Sequence, residues 1–317
     1  MAPWSGVSVA AGSEIRRILL TGTTGQVGGE LLHSLAPLGE VVAPAREQVD
    51  LGDAAGDFRL LRETIRTVRP RWIVNPAAYT AVDRAESEPE PAFAVNRDAV
   101  RAIGEEAARI GAAVIHFSTD YVFDGTGTAP YAETDATGPV SVYGASKLAG
   151  EQALAASGAA HLIFRTSWVY GARGKNFLLT ILKLAREREV LKVVADQHGA
   201  PTWSRDLATM TAAVMERCAG DGSVAVADAV RPVSGVYHAA GSGETTWYGL
   251  AAEAVRQQRE REPGVRFAEI QPITTAEYPT PARRPANSRL DCEKLAQRFG
   301  WRMPDWQESL RRVLSEL

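Results

Sequence analysis

Short apolar runs alternate with longer helical patterns through the first half of the chain. Arg17-Ile18-Leu19-Leu20-Thr21 is a compact apolar run, and the spacing of Leu31, Leu32 and Leu35 predicts a helix after it. Glu40 to Pro44 reads as a second strand. Phe58, Leu60, Leu61, Ile65 and Val68 give a helix over Asp57–Val68, and Arg71–Asn75 a third strand. A helix over Pro89–Ile110 and a strand over Ala112–Phe117 follow. A helix bearing Tyr143 and Lys147 then leads to a strand over His161–Arg165. Strands alternating with helices predict parallel pairing in a doubly wound α/β sheet.

From Asn176 the alternation loosens. Helices are expected over 177–188, 207–218, 247–258, 291–299 and 306–317, with a strand over 191–194. Gly220–Ser234 reads as a polar, alanine-rich surface loop, and Gly235–Ala240 as a strand that returns to complete the sheet. Residues 15–170, with 204–241 returning, are therefore expected to form one domain. Residues 171–203 and 242–317 form a smaller, discontinuous α/β domain, and residues 1–14 a flexible extension.

The first strand ends in Gly22-Thr23-Thr24-Gly25-Gln26-Val27-Gly28-Gly29 before a helix. Glycines there allow a tight turn and close backbone approach, and the helix start offers free N–H groups to a pyrophosphate. Strand, glycine loop and helix in that order predict a Rossmann-type dinucleotide site at Gly22, Gly25 and Gly28. At the end of the second strand an acid would hold the ribose 2′-hydroxyl of NAD, and an arginine the 2′-phosphate of NADP. Arg46 stands there, which favours NADPH and leaves NADH as a second choice, while Asp50 and Leu51 fall within reach of the adenine. Small residues in Pro76–Asp83 leave room for a ligand at a strand end. So do the hydroxyls of Ser118 and Thr119, where Thr119 is placed to polarise a carbonyl. Tyr143 and Lys147 are four apart, so a helix puts them on one face. An ammonium beside a phenol favours the phenolate and lowers its pKa, which suits proton exchange with a carbonyl or alcohol. Arg283 and Arg284, rigidified by Pro281 and Pro285, read either as a diphosphate clamp or as a solvated pair.

Composition narrows the class further. The 317 residues are 45% hydrophobic and 23% charged, with net charge −3, and the pI is about 6.0. That excludes a general nucleic-acid or anionic-membrane binder, which needs a concentrated basic face. No apolar run reaches the ~18 residues of a membrane helix. Cys218 and Cys292 have no framework spacing, so the chain reads as cytoplasmic with reduced thiols. The five histidines (His33, His116, His161, His198, His238) lack ligand spacing and read as structural, with no metal site.

The TGxxGxxG loop, the Ser-Thr-Asp strand end and Tyr-x-x-x-Lys together resemble the extended short-chain dehydrogenase/reductase superfamily. Asn75–Glu86, Ser118–Phe123, Arg165–Tyr170, Asp196–Thr202 and Thr280–Leu290 are similar to the dTDP-4-dehydrorhamnose reductase family, from about Arg17 to the C-terminus. The resemblance implies NADPH-dependent reduction of the C4 keto group of a dTDP-4-dehydro-6-deoxy sugar. It makes Tyr143 the proton donor, Lys147 its partner and a holder of the nicotinamide ribose, and Thr119 the carbonyl-binding group. Gly22 to Val27, including Gln26, would hold the pyrophosphate, and Ala78, Tyr79 and Thr80 would line the cofactor. Asp120, Tyr121 and Trp168 would contact the sugar nucleotide. It also allows a homodimer. Some relatives hold magnesium through interface glutamates; Glu30 and Glu293 match two such positions, but Arg205 stands where a third acid is expected and would repel the metal. Two rival readings are a sister dTDP-4-keto-6-deoxyhexose reductase and a non-catalytic NADP-binding subunit. The intact Thr119, Tyr143 and Lys147 argue against the second.

Overall fold

The computed structural model describes residues 16–219 and 224–317. The 1–14 extension and the first four residues of the predicted 220–234 loop lie outside them. In chain order the strands are β1 (Arg17–Leu20), β2 (Glu40–Val42), β3 (Trp72–Asn75), β4 (Ala113–Thr119), β5 (Ala160–Thr166), β6 (Val169–Tyr170), β7 (Val190–Val194), β8 (His198–Gly199), β9 (Thr202–Trp203), β10 (Gly235–His238), β11 (Thr245–Thr246) and β12 (Glu269–Ile273). The helices are α1 (Gln26–Leu35), α2 (Arg59–Val68), α3 (Val82–Ala85), α4 (Pro89–Phe93), α5 (Ala99–Ile110), α6 (Val142–Ala156), α7 (Phe177–Glu187), α8 (Ser204–Ala219), α9 (Val226–Val230), α10 (Trp247–Arg261), α11 (Glu293–Phe299) and α12 (Trp306–Leu314).

Six strands form one parallel sheet in the order β10-β5-β4-β3-β1-β2. Successive strand residues face opposite sides, and both sides are buried. Ile18 and Leu20 pack toward α1, α8 and α9, whereas Leu19 packs toward α2 and α5. Burial on both faces is why these strands read as unbroken apolar runs. The order reverses between β1 and β3, and such a switch point opens a ligand crevice beyond the strands' carboxyl ends. Thr21 and Asn75 sit at that end, Thr21 donating from Oγ1 to Asn75 Oδ1 at 2.5 Å.

Several elements depart from expectation. Segment 89–110 is not one helix: a π-helical turn over Ala94–Asp98 separates α4 from α5 and turns Asn96 inward, fully buried. Helix α2 starts at Arg59 because Asp57 and Phe58 are left-handed. The predicted surface loop carries α9 and a 3₁₀ turn, and Val226, Ala227, Val230 and Val233 enter the sheet's core. Leu295, Phe299 and Met303 pack in that same core, so 242–317 divides between two cores rather than lying wholly with the smaller one. The second core is built by α7, α10 and α12 with the parallel pair β7–β12.

Candidate active site

Two glycines of the loop leave no space for a side chain. Gly22 has φ +62°, and a Cβ there would lie 2.8 Å from the Ala77 backbone. A Cβ on Gly28 would stand 2.1 Å from the Gly22 carbonyl oxygen. Gly25 is the N-cap of α1, and among the described residues no side chain caps that helix. Its first N–H groups are thus left for an anion, with the positive dipole end behind them. Val27 packs against the core, while Gln26 holds the second half of the chain: it accepts from Asn176 Nδ2 at 2.9 Å and donates to the Val169 carbonyl at 3.4 Å. The donor set and the cradle fit a dinucleotide pyrophosphate.

Around the loop the other predicted cofactor residues separate. Arg46 is exposed beside Asp50 at 3.5 Å, free to turn toward a phosphate. Leu51 is buried in the core with Leu61 and Ile65, so its side chain does not face the crevice. The loop Ala78–Thr80 is clamped by Asn96, whose Oδ1 accepts from Tyr79 N at 2.9 Å and whose Nδ2 donates to Tyr79 O at 3.1 Å. The same Nδ2 lies 2.9 Å from Ser146 Oγ, which donates to the Tyr143 carbonyl at 2.8 Å. Asn96 thereby ties the Ala78–Thr80 loop to the turn bearing Tyr143. Its place in an ordinary helical pattern concealed this; the signal is the π-turn, absent from the sequence.

Thr119, Asp120, Tyr121 and Tyr143 converge beyond β4. Ser141 caps α6, accepting from Gly144 N at 3.1 Å. Gly144 allows the close approach: a Cβ there would be 2.2 Å from the Tyr121 carbonyl oxygen. Tyr121 and Tyr143 meet edge to face at 5.7 Å. Burial pushes the Tyr143 hydroxyl up to about 12, the Thr119 hydroxyl pulls it back, and Asp120 adds to the rise. The Lys147 ammonium is not among the groups that set this value. Lys147 Nζ donates to the Phe117 carbonyl at 2.6 Å and lies 3.2 Å from His116 Nε2. Burial lowers Lys147 to about 8, opposed by the charge of Glu151 one turn along α6. Asp120 is also buried. Thr119 Oγ1 donates to its Oδ1 at 3.0 Å, and its Oδ2 has no partner among the described residues. Burial raises its carboxyl to about 7 against the Ser288 and Thr119 hydroxyls.

The C-terminal segment completes the crevice. Ser288 N donates to His198 O at 2.7 Å, Asn287 N to Gly125 O at 3.1 Å and Tyr131 N to Arg289 O at 2.8 Å. Trp168 sits at the junction with φ +48°, stacked on Trp247 with ring centres 3.8 Å apart. Gly199 makes room for it, since a Cβ there would be 2.5 Å from the indole. A left-handed conformation costs a bulky residue about 1–3 kcal/mol, and such strain gathers at functional sites. Arg284 pairs with Asp83 at 2.8 Å and its Nη1 has no partner among the described residues, whereas Arg283 is exposed. Ser288 and Trp247 were not read from the sequence, because only long-range pairing brings them here.

The acids compared with metal ligands lie in ion pairs. Arg205 holds Glu30 at 2.8 Å and also meets Glu316, while Glu293 pairs with Arg302 at 2.7 Å. Among the described residues no group of three or more His, Cys, Asp or Glu could hold a metal. No described helix is long and apolar enough to cross a membrane.

A parallel sheet with a glycine loop at its switch point and a Thr, Tyr, Lys set one strand away defines a Rossmann-type reductase of the short-chain class. Solved structures of such enzymes share the whole fold. A dTDP-4-dehydrorhamnose reductase from Bacillus anthracis, in complex with NADP, matches with TM-score 0.84 at 30% identity, over 96% of this chain and 100% of that one. The chain belongs to the dTDP-4-dehydrorhamnose reductase family: the description "RmlD substrate binding domain" matches residues 16–317. The reductase of that name from Escherichia coli K12 is 50% identical over 303 residues, 95% of this chain and 97% of that protein. That from Burkholderia thailandensis is 48% identical over 309 residues, covering 95% and 99%.

Proposed function

We propose that this protein reduces the C4 keto group of dTDP-4-dehydrorhamnose to give dTDP-L-rhamnose, with NADPH as the reductant. The convergence of Thr119, Asp120 and Tyr143 beyond β4, next to the glycine cradle, carries the reading. Bound NADPH supplies the hydride. Gly22 to Gly28 hold its pyrophosphate, Arg46 and Asp50 its adenosine end, and Ala78 to Thr80 with Lys147 its nicotinamide ribose. Thr119 Oγ1 donates to the substrate carbonyl oxygen. As hydride reaches C4, Tyr143 gives its phenolic proton to that oxygen, and the product alcohol forms. A phenol raised to about 12 stays protonated at neutral pH, as a donor in the reductive direction must. Trp168, Tyr121 and Asp120 line the sugar-nucleotide side. In this reading residues 15–170 and 204–241 form the cofactor half, and 171–203 with most of 242–317 the substrate half.

The reading places the enzyme in the cytoplasm. Burial pushes Cys218 up to about 11 and Cys292 to about 12, so both thiols are poorly nucleophilic there. A coupled assay tests the function. The purified protein receives dTDP-4-dehydrorhamnose made in situ, and NADPH oxidation is followed by absorbance. Oxidation with dTDP-L-rhamnose as product is expected, and Tyr143→Phe is expected to lose about 10²–10⁴-fold in turnover while still binding NADPH. Tight NADPH binding without oxidation would overturn the activity.

A further inference from the structure

Behind Lys147 runs a buried polar chain that crosses three strands. Lys147 Nζ lies 3.2 Å from His116 Nε2; His116 Nδ1 lies 3.2 Å from the Asn75 amide; and the other end of that amide meets Thr21 Oγ1 at 2.5 Å. All four are almost fully buried, with exposures of 1%, 0%, 1% and 4% in that order. Bulk solvent does not reach these groups, so each depends on the next for its hydrogen bonds.

The hydrogen-bond order along this chain is constrained. Burial holds the His116 pKa well below the ordinary imidazole value, and the Lys147 charge lowers it further, so the ring is neutral. A neutral imidazole donates from one nitrogen and accepts at the other. Lys147 as an ammonium has only donors, so Nε2 must accept from it. The ring proton then sits on Nδ1 and needs an oxygen. The Asn75 amide supplies one by a half-turn about its Cβ–Cγ bond from the orientation in the structure, where Nδ2 faces the ring and Oδ1 faces Thr21 Oγ1; the oxygen then meets the ring and the nitrogen meets Thr21 Oγ1. The opposite order, with the amide nitrogen donating to Nδ1, puts the ring proton on Nε2, where it faces the ammonium.

We propose that His116 is a positioning residue for the reduction: with its proton on Nδ1, its bare Nε2 and the Phe117 carbonyl together fix where the Lys147 ammonium stands. Two of the three ammonium hydrogens are thereby taken from below, and the third is left for the cofactor ribose. The inference rests on the roles proposed above for Tyr143 and Lys147. His116, classed as structural from its lack of ligand spacing, acquires a role only through the alignment of β1, β3 and β4 with α6.

Two measurements test this. Nitrogen-15 spectra of the imidazoles in the full-length wild-type protein, with the His116 signals assigned by their loss in His116→Gln, read the tautomer directly. A protonated Nδ1 with a bare Nε2 is expected; a proton on Nε2 overturns the proposal whatever the variants do. In kinetics, His116→Leu removes the acceptor, and turnover should fall about 10- to 100-fold, the effect of one lost charge-assisted hydrogen bond. His116→Gln restores an acceptor oxygen and should recover most of that loss at equal thermal stability of the two variants. Equal turnover in the Leu and Gln variants overturns the proposal. If Tyr143→Phe keeps full turnover, the reading beneath fails instead, a result distinguishable from either outcome at His116.

Discussion

In the sheet half, strands of three to seven residues lie between helices that cover both faces, and each β–α step packs on its neighbours. In the other half, strands of two to five residues come only in pairs, and the partners are far apart in sequence: β7 pairs with β12, and β8 with β11. The first half is specified by local periodicity, and the second by contacts that close long loops. Thr119, Asp120 and Tyr143 stand on the sheet side, and Trp168 and Trp247 on the other. Cofactor contacts should therefore be intolerant of small steric changes, and substrate contacts tolerant of them.

The sharpest test lies within one helix of the sheet half. Gly28→Ala puts a methyl 2.1 Å from a backbone oxygen, whereas at Gly29 the nearest atom to a new Cβ is 3.5 Å away. Gly28→Ala is expected to cost about 3 kcal/mol or more of stability by overpacking and to abolish tight NADPH binding. Gly29→Ala should leave binding intact and gain up to about 1 kcal/mol from helix propensity. Thermal unfolding with and without NADPH reads both. Equal behaviour of the two would remove the claim that the cradle is sterically closed.

Next in size is a pH effect at the seam. The Asp120 carboxyl is raised to about 7 from an ordinary 3.8. Between those values the folded state binds the proton and the unfolded state does not, so this group makes stability fall as pH rises, with the whole loss present above pH 7. Asp120→Asn removes that slope. The stability difference, variant minus wild type, should grow by roughly 3 kcal/mol from pH 4 to pH 7 in denaturant unfolding. The carboxylates with lowered pKa, such as Asp83 and Glu106, act in the opposite sense at the acid end, and they cancel in the difference. A difference that stays flat with pH would mean that Asp120 is ionised when folded.

What could be read in advance follows the same divide. Apolar runs such as Ile18–Leu20 and the glycine spacing carried the sheet and the cradle, because parallel strands and close helix packing leave residue-level signatures. The Tyr143–Lys147 spacing correctly put both on α6, but not the direction of the ammonium, which His116 and the Phe117 carbonyl set from another strand. Helix α9 stayed hidden because alanines dilute Val226, Val230 and Val233. Trp247 and Ser288 enter through loop closure, which has no period.

The substrate half gives a smaller effect. Trp247→Phe keeps an aromatic but reduces its overlap with Trp168, whose stack lies 3.8 Å away. An aromatic pair is worth about 0.5–1.5 kcal/mol beyond its burial, so KM for the sugar nucleotide should rise roughly 2- to 10-fold. NADPH affinity should stay unchanged. A matching loss of NADPH affinity would erase the division of labour between the halves.

The smallest expected change in stability is in the sheet half yet outside its closed cradle. Arg46 is 80% exposed at its side chain and pairs with Asp50 at 3.5 Å, a geometry that contributes little to stability. Its removal should leave unfolding within about 0.5 kcal/mol, as for most surface substitutions. A guanidinium facing a 2′-phosphate is different, since a charged hydrogen bond is worth about 1.5–3 kcal/mol and NADH lacks its acceptor. In Arg46→Ala the ratio of kcat/KM for NADPH over NADH should fall roughly tenfold, through loss with NADPH alone. An unchanged ratio would assign the choice of cofactor to another group. An equal loss with both cofactors would mean that Arg46 shapes the loop rather than reads the phosphate, and the tolerance expected of exposed positions would then not hold even at the edge of the sheet.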